Sequence, residues 1–181
     1  MAAATAATLF AAGGIASAQM MSGDPMVGGA AMYPSKNIIQ NATNSRDHTT
    51  LVAAVKAADL VSTLEGPGPF TVFAPTNEAF AKLPPGAVED LLKPENKSEL
   101  VKILTYHVVP GRLTERDLKA KVRAGGGKAE LRTVEGEPLT VSMNGGGLEL
   151  TDAKGGTDQI TIANVMQSNG VIDVVGAVLM P

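Results

Sequence analysis

The sequence predicts an α+β domain, and three observations carry that reading. Apolar residues recur at helical spacing through the first half of the chain. From about residue 130 onward they alternate with polar ones. One short β-branched and aromatic run, residues 70–74, sits among the helices and must leave them to join the sheet.

Each element follows from local chemistry. Residues 37–42 suit a short helix. Residues 49–58 place Leu51, Val52, Val55 and Ala58 on one helical face, with Asp47 or a nearby Thr as the expected N-cap. Residues 61–64 continue the pattern until GPGP at 66–69 breaks it. Residues 70–74 read as a buried strand, closed by Pro75, which has no N–H to donate. Thr76 is positioned to cap a helix over 77–83, with Glu78 in its positively polarised first turn. After PPG at 84–86, Val88, Leu91 and Leu92 suggest another short helix.

Asn96 with Glu99 three residues on reads as a variant capping box. Leu100, Ile103, Leu104 and His107 then fall at i, i+3, i+4 and i+7, which assigns His107 to the apolar face. Pro110 and Gly111 end that helix, and beyond residues 114–118 the period changes to 2. Residues 130–134, 139–143 and 148–151 alternate, the last two joined by NGGG as a hairpin. Residues 159–162 and 171–175 are further strands, and Asn169-Gly170 reads as a tight turn.

The 181 residues accommodate one domain and a tail. Apolar residues make up 44% and charged residues 18%, a globular balance. Aromatics are only 3%, so Val, Leu, Ile and Ala must build the core, and two Tyr and four Phe argue against nucleic-acid binding by base stacking. The net charge of −3 argues the same way. With no Cys there are no disulfides, thiolate metal sites or cysteine nucleophiles.

Catalytic patterns are also lacking. The two histidines, His48 and His107, lie far apart in sequence, and there is no Gly-x-Ser-x-Gly elbow. Gly125-Gly-Gly127 precedes Lys128 without the ending of a phosphate loop. A non-enzymatic protein with no cofactor is expected.

Residues 1–18 are uncharged and Ala-rich, ending ASA before Gln19; they read as an export signal or an Ala-rich tail. Residues 19–35 read as a flexible Gly/Met/Pro linker, and residues 36–181 as the domain. The linker holds four of the eight Met residues. Thioethers could hold Cu(I), but without a neighbouring His or Cys a plain linker is the simpler reading. No stretch is long and apolar enough to be expected to span a membrane.

Three segments then stand out together: TVFAPTNEAF at 71–80, YHVVPG at 106–111, and NGVI at 169–172 followed by VLMP at 178–181. In this order they resemble the signature segments of the fasciclin-like domain, over about residues 37–181. The resemblance implies a wedge of about seven strands in two sheets with a helical layer packed on one side. It implies a secreted or periplasmic adhesion or surface-interaction module whose partner is a cell-surface or matrix protein or a polysaccharide. Some members of the family carry carotenoids, so a carrier of an apolar small molecule, carotenoid or lipid, is the alternative.

The resemblance also supplies candidate residues. Tyr106 and His107, flanked by Val108 and Val109, match a segment proposed for adhesion contact. Their spacing equally suits core residues with tied-off polar atoms. A protonated His107 would suit the C-terminal end of its helix.

Asn164 and Val165 occupy the place of an Asp-Ile pair proposed as an integrin contact in matrix members that this chain resembles. A neutral Asn supplies no metal-ligating carboxylate, so the integrin role does not transfer. Asp173 stands where members often carry His, and an Asp there is expected to titrate far lower. Thr76, Asn77 and Glu78 could form a small recognition corner or simple capping chemistry, and Asn169 with Gly170 a turn.

Overall fold

The computed structural model describes residues 23–181; the expected export signal at 1–18 lies outside the described residues. The chain enters through a small hairpin, β1 (Met26–Val27) against β2 (Ala30–Ala31). Three helices follow: α1 (Ile38–Asn44), α2 (Thr49–Ala57) and α3 (Val61–Leu64). Strand β3 (Phe70–Pro75) leads to α4 (Asn77–Ala81), α5 (Ala87–Leu91) and α6 (Lys97–Tyr106). Strand β4 (Val108–Pro110) and α7 (Glu115–Ala124) precede β5 (Lys128–Arg132), β6 (Pro138–Asn144), β7 (Gly147–Thr151), β8 (Thr157–Gln167) and β9 (Gly170–Val175).

Seven strands hydrogen-bond in the order β4-β3-β9-β8-β7-β6-β5. The start of the long β8 pairs with β7 and the rest of it with β9, so β8 belongs to two half-sheets. This is the mixed α+β arrangement expected, and the strand at 70–74 leaves the helices to join the sheet. Strand β3 runs parallel to β9, from Phe70 opposite Gly170 to Pro75 opposite Val175. Pro75 closes the ladder as its last residue.

Both central strands are covered on both faces. Val72, Ala74, Ile172 and Val174 point into one apolar cluster with α1, α2, α4 and α6. Phe73 and Val175 point into a second, closed by Leu118 and Val122 of α7 and by Leu131, Leu139, Val141 and Leu150. Alternating strand side chains thus serve two cores. The helical layer is not wholly on one side, because α7 packs on the β5–β7 half.

The first correction concerns the expected linker at 19–35. From Gly23 on it is described, and two of its residues belong to the core: Val27 is 3% exposed and Met32 2%. Met32 N–H donates to Pro25 O, and Arg46 N–H to Gly28 O. Gly28 has φ +59°, and a Cβ there would lie 2.6 Å from Asp47 N, so only glycine permits this approach. A hairpin with two-residue strands offers no periodicity to read. Met26 is exposed while Met32 is interior; Met20 and Met21 lie outside the described residues.

Two expected caps are absent. Helix α2 begins after His48, with no side-chain cap from Asp47 or a neighbouring Thr. Asn96 does not cap α6; its amide donates instead to Asp90 O at 2.7 Å. Two capping boxes lie elsewhere, Asn37 with Gln40 at α1 and Thr114 with Asp117 at α7.

Asn169-Gly170 is not a primed turn either. Gln167 pairs with Gly170, so Ser168 and Asn169 make the turn, and neither residue has positive φ. Asn169 is buried. Its Oδ1 accepts Ile38 N–H at 3.1 Å, and its Nδ2 donates to Leu64 O and Gly66 O. A Cβ at Gly170 would sit 2.0 Å from Phe70 O, so glycine is required where β9 meets β3.

Candidate functional site

The candidate contact residues separate sharply by burial. Tyr106 is fully buried; its hydroxyl donates to Pro138 O at 2.9 Å and accepts Ala153 N–H at 3.0 Å. Burial raises its pKa.

His107 is buried at the end of α6, and its two ring nitrogens have different partners. Nε2 accepts Leu179 N–H at 2.9 Å, and Nδ1 faces Ile103 O at 2.8 Å. An acceptor at Nε2 and a carbonyl at Nδ1 fix the neutral Nδ1–H tautomer. Burial pushes the ring pKa down to about 4. The protonated form favoured by the helix end does not occur at neutral pH, because the Leu179 amide occupies the second nitrogen as a donor. Val165 is also fully buried. Tyr106, His107 and Val165 therefore face the interior, which corrects the expectation that they touch a partner.

At the Thr76-Asn77-Glu78 corner, Thr76 Oγ1 accepts Ala79 N–H at 3.2 Å. Asn77 Oδ1 accepts Thr50 N–H at 3.0 Å and the Thr49 hydroxyl at 3.1 Å, while its Nδ2 donates to Arg46 O at 2.8 Å. Asn77 is the missing cap of α2, supplied from another helix. Only Glu78 there points freely to solvent, beside a shallow depression shared with Asp47.

Asn164 is different. It is exposed and sits in the irregular stretch of β8, where pairing with β9 shifts register between Ile162 and Val165. Its φ is +61°, a left-handed conformation that Asn tolerates better than most residues. Its N–H donates to Asp173 Oδ1 at 2.9 Å. Its Oδ1 accepts Glu115 N–H, the first amide of α7, at 2.8 Å, and its Nδ2 reaches Glu115 Oε2 at 3.3 Å. Asn164 thus pins the bulge of β8 to the start of α7.

Behind it lies Asp173, fully buried, with Oδ2 lacking any hydrogen-bond partner. Burial first, and then the charge of Glu115, push its carboxyl up to about 7, against the lowering effect of Asn164 N–H. The expectation of an ordinary low carboxylate pKa fails, because it was drawn from residue type without burial.

An open groove of about 440 Å³ runs beside this junction, lined by Thr114, Glu115, Arg116, Lys119, Arg123, Asn164 and Met166. Of its basic residues, sequence reasoning identified none; the signal available was their spacing of three and four residues along α7.

His48 was also missed. It is buried, its Nδ1 lies 2.9 Å from Ser45 Oγ, its Nε2 has no partner, and burial lowers its pKa. It borders an apolar cavity of about 20 Å³ that Met32 also lines. A second apolar cavity, beside His107, is equally small. Neither could hold a carotenoid or lipid, which need several hundred Å³. Among the described residues no three His, Asp or Glu side chains are grouped to hold a metal, and no helix is long and apolar enough to cross a membrane.

Comparison with known proteins places this geometry in context. The Fasciclin domain family model matches residues 46–181. The chain is 48% identical over 156 residues to Protein sll1483 of Synechocystis, covering 86% of this chain and 79% of that one. It is 32% identical over 201 residues to the immunogenic protein MPB70 of Mycobacterium bovis, covering 97% and 95%. Among solved structures, a FAS1 domain pair from the insect cell adhesion molecule Fasciclin I superposes with a TM-score of 0.72 at 18% identity. That match covers 81% of this chain, which spans about half (51%) of the domain pair.

Proposed function

The chain belongs to the fasciclin-domain family, and from that membership we propose that it is a non-enzymatic adhesion module, secreted or periplasmic. Its partner is a cell-surface or matrix protein or a polysaccharide, met through the face formed by the β8 bulge and α7. One observation carries the choice of face. Of the four candidate contact residues, only Asn164 keeps its side chain at the surface, held by two hydrogen bonds to Glu115, while its backbone N–H is held by Asp173. A rigid polar projection loses little conformational entropy when a partner docks.

The test is attachment. Surfaces coated with the protein are expected to retain cells or envelope fragments above an albumin-coated control. Asn164→Gly, which keeps the left-handed backbone and removes the side chain, is expected to lower that retention while the protein stays folded. Retention no greater than on albumin would overturn the proposal.

A further inference from the structure

We infer that the groove between α7 and the β8 bulge binds an acidic polysaccharide, with Arg116, Lys119 and Arg123 meeting its carboxylate or sulfate groups. This rests on the adhesion-module reading and names its partner.

The first argument is the distribution of charge. Seven of the fifteen basic residues lie between Arg112 and Arg132, with only three of the eighteen acidic ones. That short stretch carries +4 in a chain whose net charge is −3. A protein that is acidic elsewhere and basic on one helix has a directional field, attracting anions to one face.

The second argument is spacing. Arg116, Lys119 and Arg123 stand at i, i+3 and i+7, and all three line the groove. Leu118 and Val122 occupy the opposite side and are buried in the core. The row spans about 10 Å along the helix, comparable to one disaccharide repeat, so successive acidic sugars could meet successive cations.

The third argument is that helix stability does not explain Arg116, although it favours Arg123 in the last turn and the Lys119–Glu115 pair. Arg116 lies in the first turn of α7, where a cation opposes the macrodipole. Among the described residues Arg116 and Arg123 make no ion pair, whereas Lys119 pairs with Glu115. That pair neutralises the one carboxylate lining the groove, and the two arginines are left available for planar, bidentate recognition of carboxylate or sulfate.

The groove has no aromatic side chain on which a base could stack. It offers Met166 and the alkyl stems of the basic residues as apolar surface for the C–H faces of sugar rings. These features favour a polysaccharide over a nucleic acid.

The experiment measures binding of the full chain to immobilised polygalacturonate and dextran sulfate. Neutral dextran, a single-stranded DNA oligonucleotide and anionic lipid vesicles serve as comparators. The double variant Arg116→Ala/Arg123→Ala is compared with Lys56→Ala/Lys102→Ala, which removes the same charge from exposed sites on α2 and α6.

Expected is binding to one or both acidic polysaccharides that weakens as salt is raised to about 0.15 M. It should fall about tenfold or more in the arginine variant and remain unchanged in the lysine variant. The inference is overturned if neither polyanion binds, if DNA or vesicles bind as tightly, or if both variants lose affinity equally. Cell attachment, measured in parallel, separates the two readings. Attachment without polysaccharide binding overturns only the choice of partner, whereas wild-type protein that attaches no cells overturns the adhesion module itself.

Discussion

Asn164 N–H donates to one carboxylate oxygen of Asp173 at 2.9 Å, and the other oxygen of that carboxylate is buried without a partner. The pair fixes an exposed bulge with an acid whose charge the interior resists.

A pH dependence follows, and its sign depends on buried groups that act in opposite directions. Asp173, raised to about 7, stays protonated in the folded chain while the unfolded chain has already ionised. Its contribution is fully present below about pH 4 and is lost as pH rises through 7. His107, lowered to about 4, acts in reverse: its contribution is present above about pH 6.5 and is lost as pH falls through 4. Between those limits the slopes of Asp173 and His107 oppose each other, and His48, whose pKa burial also lowers, adds to the side of His107. Asp173→Asn should therefore unmask a stability that rises with pH, by about 3 kcal/mol across the window. His107→Gln should shift the slope the opposite way, toward that of Asp173, with His48 still opposing it. Urea denaturation in buffers from pH 4 to 7 checks both; a flat profile in Asp173→Asn would refute the assignment.

His107→Ala should cost about 2–4 kcal/mol, because it leaves the Leu179 amide and the Ile103 carbonyl buried and unpaired. Tyr106→Phe should cost about 1–2 kcal/mol for the same reason at Pro138 and Ala153. Equilibrium unfolding gives both values. Wild-type stability in either variant would contradict the interior roles.

Asn77→Ala should destabilise by about 1–2 kcal/mol although Asn77 lies in α4, because it removes the cap of α2. Hydrogen exchange localises the effect. Faster exchange at the Thr50 amide at the start of α2, with the α4 amides unchanged, is the expected signature.

Gly170→Ala should prevent stable folding or cost about 3 kcal/mol or more, since its Cβ would collide with the Phe70 backbone carbonyl. Gly146→Ala makes a useful contrast: its Cβ would meet open space, and the cost there is limited to the positive φ of the hairpin turn. Comparing their unfolding midpoints separates steric exclusion from backbone preference.

What the sequence made legible was periodicity. The strand at 70–74, the β6–β7 hairpin and the place of His107 on the apolar face of its helix follow from apolar spacing and turn residues, whereas the parallel pairing of β3 with β9 does not. What remained hidden depends on partners distant in the chain. Asn77 capping α2 and Asn169 clamping α1 and the α3–β3 loop are long-range hydrogen bonds that no local pattern encodes. Asp173 escaped because its pKa is set by burial, and Val27 and Met32 because two-residue strands have no period. The candidate surface was half visible: Asn164 was singled out by family resemblance, but its junction with Glu115 exists only once β8 and α7 meet.

The parallel neighbour of β3 is the last strand of the domain to be synthesised. Until Val171, Ile172 and Val174 have emerged from the ribosome, Phe70 to Ala74 lack their lateral partner and both apolar clusters stay open. The domain cannot close early from its N-terminal helices alone, since non-local pairing must come before the interior is sealed. The export proposed above would benefit from such delayed closure, because an unsealed chain is easier to thread across a membrane.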